Sequence, residues 1–214
     1  MTHALIEELP AAHRLALAYA PRSAREATLA VLALDARLAA VLRRRGEPVL
    51  AQMRFAWWRD TLGREKAQWP RGDEVLGLLG GWDEPAGLIA LVDGWEGLLS
   101  EDLDADVIDG FAAGRGQAFA QLAVELGAAP SAADLCGRIW ALADLAANLS
   151  GYEERQTVLD AAKALPPCGP LPRTLRPLAM LAALGQRSIA RGGAPLFEGP
   201  RAILFAVRVG ILGR

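Results

Sequence analysis

The chain has 214 residues, 52% of them hydrophobic, with 23 basic against 25 acidic side chains and a net charge of −2. That length makes one domain, residues 1–214, the default, and its Ala- and Leu-rich apolar content favours helices. Balanced charge gives no reason to expect the basic face that nucleic-acid recognition requires, and no stretch reaches the ~20 apolar residues of a membrane-spanning helix.

In chain order, the first ten residues carry Glu7 and Glu8 and no apolar run, so they do not read as a signal peptide. A first helix is expected between Pro10 and Pro21. A second opens on the capping box Ser23-Ala24-Arg25-Glu26, runs through Leu29, Leu32, Leu34, Leu38 and Leu42, and stops at Gly46. Pro48 starts a third, through Met53, Phe55, Trp57 and Trp58 to Trp69. A short helix over Asp73 to Leu79 follows, then one from about Asp83 to Leu98 and a long one after Asp104. Ser131 to Asp134 forms a second capping box for a helix reaching Ser150. Residues 152–164 read as another helix, ended by Leu165-Pro166-Pro167, and helices over about 173–190 and 200–212 complete the chain. No run alternates apolar and polar residues, so no sheet is expected. Cys136 and Cys168, without a CxxC or a nearby histidine, read as reduced thiols of a cytoplasmic protein.

Two stretches carry a family resemblance. Leu17-Ala18-Tyr19-Ala20-Pro21, with Arg25 and the helix after it, is followed by Glu47-Pro48-Val49-Leu50 and Arg54-Phe55-Ala56-Trp57-Trp58-Arg59-Asp60-Thr61-Leu62. Together they resemble the squalene/phytoene synthases, nearest the branch that includes the complex I assembly factors. Gly110-Phe111-Ala112-Ala113-Gly114-Arg115-Gly116 resembles the family's Tyr-x-x-Gly-x-x-Gly helix loosely. The resemblance covers about residues 13–150. It implies an all-α isoprenoid-synthase bundle around a central cavity, here shortened at the C-terminus.

Catalysts of that family hold Mg²⁺ between two Asp-rich helices, because this hard cation needs several oxygen ligands to carry a departing diphosphate. Against the family pattern Arg-x-x-Asp-Asp-x-x-Asp, this chain reads Ala36-Arg37-Leu38-Ala39-Ala40-Val41-Leu42-Arg43. Ala39, Ala40 and Arg43 therefore replace all three ligands, and Ala36 replaces the phosphate-binding arginine. Asp35 and Glu26 lie too far apart along the helix to share an ion. At the second motif, Asp144 to Arg155 retains Asn148 but no Asp-x-x-x-Asp. The expectation is thus a non-catalytic relative with no metal and no cofactor, binding a hydrophobic ligand or a protein partner. The alternative is an active prenyl transferase with an atypical diphosphate site.

Candidate ligand contacts are Arg25, Arg43, Arg54, Trp57, Trp58 and Arg59. Of the adjacent tryptophans only one can face the core. The arginines Arg25, Arg54 and Arg59 either gather at the bundle mouth or form ordinary ion pairs, for example with Asp60. The acidic run Glu101, Asp102, Asp104, Asp106, Asp109 lies at a helix start, where the macrodipole favours negative charge. His3 and His13 are assigned no role. Residues 200–214, apolar with interspersed arginines, either close the bundle or contact the inner face of a membrane.

Overall fold

The computed structural model describes residues 2–43 and 48–196. The expected stop at Gly46, the helix over 200–212 and the membrane contact through 200–214 lie outside the described residues. Every regular element among the described residues is helical, as expected. The helices are α1 (Thr2–Glu8), α2 (Ala11–Ala18), α3 (Arg22–Arg43), α4 (Pro48–Leu62), α5 (Glu74–Leu79), α6 (Ile89–Gly97), α7 (Ala105–Glu125), α8 (Pro130–Asn148), α9 (Tyr152–Ala164) and α10 (Arg176–Ala190). No described helix is long and apolar enough to cross a membrane.

Local chemistry accounts for the helix starts. Asp73 Oδ1 accepts from the backbone N–H groups of Val75 and Leu76 at 2.9 and 3.0 Å, and Asp104 Oδ1 accepts from Val107 at 2.9 Å. The two expected capping boxes are displaced. Helix α3 begins at Arg22, with the Ala24 N–H already bonded to the Pro21 carbonyl at 3.0 Å, so Ser23 lies inside the first turn. Helix α8 begins at Pro130, whose fixed φ suits the first helical position, and Ser131 is likewise internal.

Two further elements depart from expectation. Helix α1 precedes Pro10 because Leu5 and Leu9 bury in the core, which a two-turn segment rich in glutamate does not advertise. Helix α4 ends at Leu62 rather than Trp69. Beyond it the chain turns back through a 3₁₀ segment, Lys66–Gln68, and Trp69 is buried with its Nε1 donating to the Arg64 carbonyl at 3.2 Å.

Buried side chains from α1 to α10 form a hydrophobic core cluster in which Trp140, Phe55, Phe111 and Phe119 are the largest fully buried apolar side chains. Helix α7 lies against α6 and α8 at close range. A Cβ on Gly114 would collide with the Ala90 carbonyl oxygen, and one on Gly137 would lie 3.0 Å from the Cα of Gly116. Only glycine admits backbone at that separation.

The cysteines are a correction. Cys136 of α8 and Cys168 of the loop after α9 are joined in a disulfide, with Cα atoms 5.2 Å apart, and are not free thiols. The Pro-rich loop folds back onto α8 and brings together two residues 32 positions apart, which cysteine spacing alone cannot reveal. The loop is a connection within the bundle, tethered at its middle.

Candidate functional site

Helices α2, α3, α6, α7 and α8 enclose a cavity of about 350 Å³. Its apolar wall includes Ala36, Ala39, Leu42, Trp95, Leu98, Phe111, Leu145 and Leu196, and its polar groups are His13, Asp35, Arg43, Arg115, Asp144 and Asn148. A wider groove on the other side of α3, about 590 Å³, passes Ala40, Arg43, Trp57 and Trp58 and contains the ion pair Arg37–Asp73 at 2.5 Å.

The cavity is organised by Arg115, which is 1% exposed. Its Nε and Nη2 donate to the two oxygens of Asp35 at 2.9 and 3.0 Å, a planar two-bond match, and its Nη1 donates to Asp144 Oδ2 at 2.8 Å. Trp95 Nε1 donates to Asp35 Oδ1 at 2.8 Å. The guanidinium carbon lies 4.1 Å from the ring centre of Trp140 and 5.0 Å from those of Trp95 and Phe111, so aromatic faces replace water around the charge. Burial alone would lower the Arg115 pKa, but attraction to Asp35 and Asp144 outweighs it and holds the group above its ordinary value. A buried pair broken on one side costs about 3–5 kcal/mol, so these charges are mutually indispensable.

His13 packs edge-on against Trp140, ring centres 5.0 Å apart, and is 6% exposed. Its Nδ1 is buried without a hydrogen-bond partner. Burial pushes its pKa down; Asp35 and Asp144 pull it up, Arg115 and Arg43 add to the lowering, and the net shift is downward. Asn148 donates to the Asp144 carbonyl at 2.8 Å and, at 3.3 Å, to Asp144 Oδ1.

The sequence candidates divide. Arg43, Ala39 and Ala40 do face concave surfaces, Ala39 in the cavity, Ala40 in the groove and Arg43 in both. The arginines do not gather at a common mouth. Arg25 donates to the Leu17 carbonyl at 2.8 Å, tying α3 to the end of α2. Arg59 pairs with Asp93 at 2.6 Å and with Glu96, both on α6, and not with Asp60; the hydrogen bond to Glu96 is the main cause of its raised pKa. Arg54 lies on the outer face of α4, beside the exposed Val49, Leu50 and Met53. Trp58 is 6% exposed and Trp57 42%, so one tryptophan is buried and its neighbour is not. The acidic run serves the start of α7, with Asp109 reaching Arg138 at 3.6 Å.

His13, assigned no role from the sequence, lines the cavity. Asp35, Arg115 and Asp144 were also missed as a unit. The available signal was charge placed inside apolar helical runs, Asp35 after Leu29 to Leu34 and Arg115 between two glycines. No family model, curated protein or solved structure matches the chain. The site is therefore read from its own chemistry.

That chemistry does not suit the Mg²⁺ that the sequence resemblance implies. Ala39 and Ala40 offer no oxygen, Arg43 would repel a cation, and the cavity's two carboxylates are both committed to Arg115. Among the described residues, no three His, Cys, Asp or Glu side chains converge on a possible metal position.

Proposed function

We propose that the chain is a non-catalytic bundle of the squalene/phytoene synthase type that binds a small hydrophobic ligand between α2, α3, α6, α7 and α8. The observation that carries the reading is the cavity, mostly apolar, at the small end of ligand-site volumes, with a few polar groups at one side. Its relation to the family rests on Asp35 of α3 and Asp144 of α8. These lie on the two helices where the family's ligand motifs would fall, and here an arginine joins them where a metal would otherwise be needed. The alternative of an active prenyl transferase has no carboxylate set in its favour among the described residues.

The test uses N-phenyl-1-naphthylamine, an uncharged dye that brightens in apolar sites. Saturable binding to the intact protein is expected, with Leu145→Trp filling the cavity and abolishing it while the melting temperature holds. Absence of saturable binding, together with no lipid in organic extracts of the purified protein, would sink the reading. It would turn attention to a protein partner for the exposed α4 face of Val49, Leu50, Met53 and Trp57.

A further inference from the structure

We infer that the cavity takes an apolar molecule with an uncharged hydroxyl head and rejects the corresponding phosphorylated molecule. The inference rests on the ligand-binding reading above and adds the chemical class.

The cavity's formal charges balance, Arg43 and Arg115 against Asp35 and Asp144. They differ sharply in availability. Each guanidinium nitrogen of Arg115 already donates to a carboxylate, which takes three of its five N–H groups, and the rings of Trp95, Phe111 and Trp140 surround it. An anion brought to this cation would either lie against the Asp35 and Asp144 carboxylates, which repel it, or displace one of them and leave a buried carboxylate uncompensated. Arg43, at the end of α3, is exposed, so water screens its charge, and it makes no ion pair with another described residue. Apart from that solvated arginine, the charged group open to an occupant of the cavity is a carboxylate. The Asp144 side chain is 24% exposed and lines the cavity. It can accept from a hydroxyl O–H but has nothing to give a phosphate oxygen, which it repels. His13 adds a second, independent sign of a ligand: an imidazole at the cavity wall, 94% removed from solvent by its 6% exposure, with Nδ1 unpartnered. Because burial keeps that ring neutral, it contributes no cation to hold an anion.

The experiment displaces N-phenyl-1-naphthylamine with three molecules sharing one tail: decanol, decyl phosphate and decane. Decanol is expected to compete at about tenfold lower concentration than either of the others, the margin of one hydrogen bond gained or one charge left unpaired. Asp144→Asn removes the repulsion and releases one Arg115 nitrogen, so decyl phosphate should improve by about tenfold and decane should not change. Decyl phosphate competing as well as decanol on the native protein would overturn the inference. So would decane matching decanol, since the head would then do nothing. In both cases the dye still binds and the ligand-binding reading stands, whereas that reading falls only if the dye itself does not bind. Should Asp144→Asn fail to fold, the three-way comparison on the native protein decides alone.

Discussion

His13 and Arg115 both lack water, and the surroundings treat them oppositely: Arg115 keeps its charge through two carboxylates, whereas His13 is held neutral by burial. The histidine carries a pH signature. Its folded pKa lies below the ordinary 6.5, so as pH falls the unfolded chain takes up the proton first. The stability involved is fully present above the unfolded value and drains away as pH falls towards the folded one. Melting temperature should therefore decline from about pH 6.5 towards pH 5, before most carboxylates titrate. His13→Phe, which preserves the contact with Trp140, should flatten that part of the curve; an identical slope in the variant would show that the ring titrates freely. At this scale the sequence was partly legible. The unequal burial of Trp57 and Trp58 followed from adjacent helical positions pointing about 100° apart. The fate of Arg59 did not, because its partners Asp93 and Glu96 are 34 and 37 positions away.

Helix by helix, the seam of α7 with α6 and α8 depends on residues that have no side chain. At Gly114 the facing atom is a backbone carbonyl, which cannot rotate aside as a side chain could. Gly114→Ala should cost at least the usual 1–3 kcal/mol of overpacking, roughly, despite alanine's better helix propensity. Urea unfolding measures this directly, and a neutral or stabilising result would mean that α6 and α7 stand further apart than described. Most helices were readable from Gly, Pro and Asp punctuation, α9 over 152–164 and the helix starts at about Asp73 and after Asp104 among them. What punctuation misses is tertiary. Helix α1 exists through the burial of Leu5 and Leu9, and α4 stops short because Trp69 folds back into the core.

For the molecule as a whole, the Cys136–Cys168 bond ties the loop after α9 to α8. The non-reduced protein should weigh two hydrogens less than the reduced one in intact mass spectrometry. Reduction, or Cys136→Ser with Cys168→Ser, should lower unfolding stability by about 2–4 kcal/mol. Equal masses before and after reduction would refute the pairing. The candidate site was legible only in outline at this scale. Ala39, Ala40 and Arg43 do line concave surfaces, but the groups that set the cavity's chemistry come from four helices and converge only in the fold. That convergence also has a temporal side. Asp35 and Arg115 are separated by 80 positions, so their bond closes a very long loop whose entropy must be met before the contact rewards it. Hydrophobic docking of α3 onto α7 is therefore expected to precede the ion pair, which then locks an arrangement already made. During synthesis, Asp35 emerges long before the arginine that neutralises it, and the carboxylate keeps this stretch of α3 hydrated until its partner arrives.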